Sequence, residues 1–209
     1  LIPATLVKRY KRFLSDHKLK SDGQIVTAHC PNPGSMMGLT EPGSEVWLSP
    51  VSNPNRKLRY GWELIRTKPG VNGLVGINTM LPNKLAVDAI RNGKIAELRG
   101  YKNIRKEVAY GTNSRIDILL EGQNRPDCYV EVKNVQFVRS LGQAEFPDSV
   151  TARGTKHLKE LTKLSAAGAR TVTLYIIQRA DCNSFSIARD IDPKYFDAFK
   201  IERVKTLEK

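Results

Sequence analysis

The chain has 209 residues, 40% of them hydrophobic, and 34 Lys and Arg against 21 Asp and Glu give a formal net charge of +13. That composition excludes a disordered chain, no apolar run is long enough to span a bilayer, and a basic surplus spread over both halves suits nucleic acid or another polyanion. Cys30, Cys128 and Cys182 are odd in number and lack metal-ligand spacing, and the start lacks the pattern of a secretory signal, so reduced thiols in a cytoplasmic protein are expected.

Residues 1–80 predict short strands near 6–14, 24–30, 44–51, 58–66 and 74–78. Turn chemistry divides them at Ser21-Asp22-Gly23, Pro31-Asn32-Pro33-Gly34, Glu41-Pro42-Gly43, Ser52-Asn53-Pro54-Asn55 and Lys68-Pro69-Gly70. Five such strands suit an oligonucleotide-binding (OB) barrel, a fold whose outer face binds single strands. Lys8-Arg9-Tyr10-Lys11-Arg12-Phe13 interleaves cations and aromatics, the chemistry of phosphate contact and base stacking. Strand alternation would put Lys8, Tyr10 and Arg12 on one face and Arg9, Lys11 and Phe13 on the other, with one aromatic in the core. Arg56, Lys57, Arg59 and Tyr60 form a second cluster, and His29-Cys30-Pro31-Asn32 reads as a structural turn because no second His or Cys lies near it in sequence.

From Leu81 the period changes, and residues 81–209 read as a second domain. Pro82 and Asn83 open a helix over 84–92 that Gly93 closes, and a strand over 104–110 follows with Ile104 and Val108 on one face. Next come Ser114-Arg115-Ile116-Asp117-Ile118-Leu119-Leu120 and Cys128-Tyr129-Val130-Glu131-Val132-Lys133-Asn134-Val135, two strands of a hairpin turning about Asn124. Antiparallel pairing sets Asp117 across from Glu131, and facing like charges destabilise a sheet, so Lys133 or a divalent cation is expected between them. A helix is predicted from Asp148 or Ser149 to just before Gly168, with Leu158, Leu161 and Leu164 as its apolar stripe. Arg153 and Lys156 point together from its first turns, a setting for an anion. Residues 171–178 read as a buried central strand, 187–196 as a loop and short helix, and 201–207 as a last strand.

Helix, three strands, helix and strand, with Asp117 on the second strand and Glu131-x-Lys133 on the third, resembles the restriction-endonuclease-like PD-(D/E)xK layout, Ile116 standing where a Pro is usual. That resemblance implies Asp117, Glu131 and the Val132 carbonyl as ligands of Mg²⁺ or Mn²⁺. It makes Lys133 the group that orients water and steadies the phosphate, with a third acid open among Asp88, Glu97 and Glu107. A more specific likeness lies in Arg9-Tyr10-Lys11-Arg12-Phe13-Leu14, His29-Cys30-Pro31-Asn32-x-Gly34, Ser114-Arg115-Ile116-Asp117, Arg125-Pro126-Asp127-Cys128-Tyr129-Val130-Glu131-Val132-Lys133, Phe146-Pro147-Asp148 and Arg153-Gly154-x-Lys156-His157-Leu158. These resemble the sugar fermentation stimulation protein A family, whose usual C-terminal segment is longer.

The resemblance implies a prokaryotic cytoplasmic protein with an OB-like domain (1–80) and a nuclease-like α/β/α domain (81–209), binding DNA, single- or double-stranded, without sequence preference. Its nucleic-acid contacts would be Lys8, Arg9, Lys11, Arg12, Arg56, Lys57, Arg115, Arg153, Lys156 and His157. Two functions follow, a metal-dependent phosphodiesterase and a non-catalytic DNA-binding regulator of sugar (maltose) metabolism, with RNA as a further partner allowed by the barrel.

Overall fold

In chain order the strands and helices are β1 (Ile2–Tyr10), β2 (Leu14–Leu19), β3 (Ile25–His29), β4 (Glu45–Pro50), β5 (Tyr60–Arg66), β6 (Leu74–Gly76), α1 (Leu81–Arg91), β7 (Asn103–Tyr110), β8 (Ser114–Glu121) and β9 (Cys128–Val135). After them come β10 (Phe137–Ser140), β11 (Gln143–Phe146), α2 (Ala152–Ala166), β12 (Arg170–Ile177), β13 (Ser184–Ile187) and α3 (Pro193–Leu207). The computed structural model describes residues 1–67, 73–111 and 114–207, with side chains to residue 201, so the turn expected at 68–70 lies outside the described residues. None of the described helices is long and apolar enough to cross a membrane.

Two compact units divide the chain, and neither is continuous in sequence. The first comprises Leu1–Met80, Val135–Asp148 and Ile177–Ser186. Alternation in its strands turns Ala4, Leu6, Val46, Leu48, Trp62 and Ile65 into one fully buried core. The sheet runs β3-β2-β1-β4-β5-β6, and parallel pairing of Ala28 with Tyr60 and His29 with Gly61 joins β3 to β5, closing a five-stranded OB barrel. The strand expected over 6–14 is interrupted. Lys11 and Arg12 adopt left-handed φ of 46° and 62°, so β1 turns back and β2 pairs with it from Leu14. This cation-aromatic run is therefore a hairpin tip, and neither aromatic is core: Tyr10 is half-buried and Phe13 exposed. β10, β11 and β13 form a separate three-stranded sheet in the same unit, unanticipated from the sequence.

The second unit comprises Leu81–Asn134, Ser149–Ile176 and the chain from Ile187 onward, built on a sheet of order β12-β9-β8-β7. β12 is its half-buried edge strand rather than the central one expected; its apolar residues pack into the core beneath α1 and do not need a neighbouring strand on both edges. Backbone bonds from Arg170 to Asp127 and from Gln178 to Val135 advance together along β12 and β9, the parallel sense that a crossover through α2 provides. Residues 201–207 continue α3 and form no strand.

Two local devices shape the sheet. Glu107 has a left-handed φ of 54°, and β7 and β8 pair on both sides of it, Lys106 with Ile118 and Val108 with Ile116. The half-twist shifts the alternation by one residue. Ile104 therefore packs with Ile118 and Leu120 beneath α1, while Val108 packs with Ile116 and Leu161 beneath α2, so the two do not share a face as expected. Thr151, not Asp148 or Ser149, caps α2: its side chain accepts the Gly154 N–H while its own N–H donates to Asp192 at 2.8 Å.

Candidate metal and phosphate site

The site begins where β8 and β9 part. Their register pairs Leu120 with Cys128, Leu119 with Tyr129 and Ile118 with Val130, and its continuation sets Asp117 opposite Glu131, as the hairpin spacing predicts. At that point the Val132 N–H donates 2.7 Å to Asp117 Oδ2, so a carboxylate stands where a ladder carbonyl would be. The Asn83 amide, from the first turn of α1, donates to Asp117 Oδ1 at 2.9 Å. Glu131 is 3% exposed, and its Oε1 receives Lys133 Nζ at 2.7 Å and His157 Nδ1 from α2. Its Oε2 is buried with no hydrogen-bond partner among the described residues.

The two acids titrate in opposite senses. Burial and then the Glu131 charge raise the Asp117 carboxyl, against the Val132 N–H, the Asn83 amide and the Lys133 charge. Burial alone would raise Glu131 too, but the His157 bond and the charge and bond of Lys133 outweigh it and hold Glu131 below the ordinary range. Tyr110, on β7, feels the same cluster: burial first, then the charges of Glu131, Glu160 and Asp117, push its phenol well above the usual value.

Beside the acids, a cleft of about 560 Å³ is lined by Glu107, Ala109, Ser114 and Arg115 from the β7–β8 pair and by Arg153, Lys156 and His157 from α2. Helical spacing puts the three α2 side chains on one flank, as the sequence implied for Arg153 and Lys156. His157 is buried rather than displayed: with Nδ1–H given to Glu131, its Nε2 accepts from Arg153 Nε at 3.4 Å. In the barrel unit, Arg9 is held inward by bonds from Nη2 to the carbonyls of Arg12, Asn32 and Gly34 at 2.9, 2.9 and 3.0 Å. Lys11, Arg12, Arg56 and Lys57 are exposed, Phe13 stacks on His29, and Lys8 lies 3.7 Å from Asp16. The 30–34 segment is a structural turn, with Cys30 fully buried and Asn32 Oδ1 accepting the Gly34 N–H at 2.9 Å.

Residues 80–208 match the model of the sugar fermentation stimulation protein RE domain, and residues 7–77 that of the SfsA N-terminal OB domain. The chain belongs to the SfsA family. A sugar fermentation stimulation protein homolog of Ruegeria sp. is 53% identical over 209 residues, covering all of this chain and 89% of the relative. One of Allorhizobium ampelinum is 57% identical over 199 residues, covering 95% and 83%. A solved structure, Pyrococcus furiosus SfsA in complex with Ca²⁺, superposes with a TM-score of 0.84 at 27% identity, covering 98% of this chain and 84% of that one.

In this SfsA-family chain, Asp88 and Glu97 are exposed on and after α1, and Glu107 is exposed at the rim of the cleft. The half-buried acid that accompanies Asp117 and Glu131 around Tyr110 is Glu160 of α2, 3.6 Å from Lys156. The spacing of three between His157 and Glu160 was the available signal in the sequence that Glu160 turns toward the sheet. Asn83 and Tyr110 carried no charge pattern that would single them out.

Proposed function

We propose that the second unit is a divalent-cation-dependent phosphodiesterase centre acting on nucleic acid, DNA in the first instance. The observation that supports it most is the buried Oε2 of Glu131, without a hydrogen-bond partner among the described residues, beside an Asp117 whose ionisation the Glu131 charge opposes. Such a pair is unfavourable as scaffolding and becomes favourable around a cation. The donor set is hard oxygen, which fits Mg²⁺, Mn²⁺ or Ca²⁺, and the related Pyrococcus furiosus structure, a complex with Ca²⁺, agrees in kind. The protein ligands would be Asp117, Glu131 and the Val132 carbonyl, and among the described residues no three of His, Cys, Asp and Glu gather as an ion-binding group.

When bound, the ion supplies charge for a phosphate in transit and lowers the pKa of water. The chain's own groups do the rest. Asn83 and the Val132 N–H fix the Asp117 carboxylate, and His157 and Lys133 hold Glu131 by Oε1, which leaves Oε2 without a hydrogen bond among the described residues. Lys133 orients an incoming water and balances charge on the phosphate, while Arg115, Arg153 and Lys156 hold the substrate backbone. In the barrel unit, Arg12, Lys11, Arg56, Lys57 and the Phe13–His29 stack form a surface for single-stranded nucleic acid.

The alternative, a DNA-binding regulator of sugar metabolism on a nuclease-like platform, draws support from the Lys133 and His157 bonds, which already serve one Glu131 oxygen without any ion. The two readings separate on cleavage. Purified protein is incubated with plasmid, single-stranded DNA, branched DNA and RNA in Mg²⁺ or Mn²⁺, beside Glu131→Gln. Cleavage of at least one substrate by the wild type and none by the variant is expected. Retained binding with no cleavage of any substrate would leave the platform reading.

A further inference from the structure

The cleft beside the acid pair contains a polar group that neither the fold nor the cation site uses. Ser114 is 7% exposed, lines the cleft, and its Oγ has no hydrogen-bond partner among the described residues. Buried hydroxyls are nearly always paired, so an unpaired one in a residue that lines a cleft marks a place for a ligand. Serine is suited to that task because its hydroxyl rotates to donate or accept.

The charges around Ser114 say which ligand. Arg115 follows it in sequence, points to solvent at the cleft wall, and makes no hydrogen bond or ion pair among the described residues. Arg153 faces it from α2. Its Nε is taken by His157, which leaves both terminal guanidinium nitrogens without partners among the described residues. Lys156 adds a cation partly engaged by Glu160 at 3.6 Å, and the lining includes one acid, the exposed Glu107. Two guanidinium groups and a hydroxyl donor lining one cleft match the charge and the hydrogen-bonding needs of a phosphate group. At about 560 Å³ the cleft exceeds a lone phosphate and admits the sugar or base attached to it.

We infer that this cleft is a phosphate subsite in which Ser114 Oγ–H and the guanidinium groups of Arg115 and Arg153 bind one phosphate group of a nucleic-acid substrate. The subsite deepens the phosphodiesterase reading and rests on it for the identity of the substrate, though not for the binding itself. It is also tied to the acid pair through Arg153, His157 and Glu131 in series, so a phosphate held here is fixed relative to the carboxylates. Two sources of the phosphate share this chemistry, a backbone diester and a terminal monoester.

The test uses the full chain without divalent ions. Inorganic phosphate is titrated into wild type, Ser114→Ala and Arg153→Gln while backbone amide and arginine Nε–Hε NMR signals are followed, with far-UV circular dichroism confirming that the variants are folded. Saturable shifts are expected at Ser114, Arg115 and Arg153, with affinity weakened about fivefold by Ser114→Ala and about tenfold by Arg153→Gln. Oligonucleotides then compete for the bound phosphate. Stronger displacement by a 5′-phosphorylated strand than by its 5′-hydroxyl twin and a circular strand identifies a terminal monoester; equal displacement by all three identifies a backbone diester. The absence of a saturable shift, equal affinity in all three proteins, or no displacement by any strand overturns the subsite. Phosphate binding with these losses in a protein that cleaves nothing would sustain the subsite and remove the phosphodiesterase reading.

Discussion

Replacing Lys133 by methionine isolates the electrostatics of the acid pair. Lys133 Nζ lies 2.7 Å from Glu131 Oε1, and the two side chains are 13% and 4% exposed, so water screens the pair little. Losing one charge-assisted bond costs about 1.5–3 kcal/mol, and stranding a buried charge entirely costs about 3–5 kcal/mol. Because His157 still holds the same oxygen, Lys133→Met belongs where those ranges meet, at about 3 kcal/mol. With a urea m-value of about 2–3 kcal/mol/M, the unfolding midpoint at pH 7.5 should fall by roughly 1–1.5 M, read by circular dichroism.

The pH dependence of that difference has a definite sign. The folded Glu131 carboxyl is held below its ordinary value of 4.5, so its contribution is complete above that value and is lost as pH falls through the folded value. The gap between wild type and Lys133→Met should therefore be full at pH 6 and narrow steadily below pH 4.5. Asp117, whose folded carboxyl is raised, works the other way: its ionisation weakens the fold as pH climbs above the ordinary carboxylate value, in both proteins. A difference below about 1 kcal/mol at pH 7.5, or one that persists undiminished well below pH 4, would refute the assignment of Lys133 as the counter-charge of Glu131.

Asp117→Asn removes the repulsion from Glu131 while keeping an acceptor for the Val132 N–H, so urea unfolding should show a gain of about 1 kcal/mol together with loss of metal-dependent cleavage. Gly154→Ala puts a Cβ 2.8 Å from Thr151 Oγ1 and 3.1 Å from the Tyr195 ring, and thermal unfolding should reveal a loss of about 2 kcal/mol as the α2 cap is displaced. Arg9 and Arg12 should part company. Arg9→Ala breaks three carbonyl contacts and lowers stability by about 1–3 kcal/mol, whereas Arg12→Ala leaves stability within about 0.5 kcal/mol and flattens the salt dependence of DNA binding.

Period-two patterning and turn chemistry were enough to anticipate the barrel and the facing of Asp117 and Glu131, because both depend on local alternation and on hairpin length. What escaped that reasoning depends on tertiary partners. Lys11 and Arg12 favour no particular turn, yet the barrel bends the chain there and Arg9 pins the bend by its carbonyl bonds. The left-handed Glu107 lacks the glycine that usually announces such a backbone, and it moves Val108 and Ile104 to different packing clusters. Apolar content made residues 171–178 look central, but an edge strand beneath helices can be as apolar as an interior one. Within the candidate site, sequence motifs pointed to Asp117, Glu131, Lys133, Arg115, Arg153 and Lys156, and to His157 as a nucleic-acid contact rather than the buried partner of Glu131. Asn83 and Tyr110 join them through contacts that only the folded sheet creates.

Whether Asp117 and Glu131 bind a divalent cation decides the role of the second unit most directly. Mn²⁺ titrated into the apo protein and followed by electron paramagnetic resonance should show saturable binding by the wild type, lost in both Asp117→Asn and Glu131→Gln while the fold is retained. Equal Mn²⁺ binding by the wild type and both variants, or none by the wild type, would contradict a cation site at this acid pair.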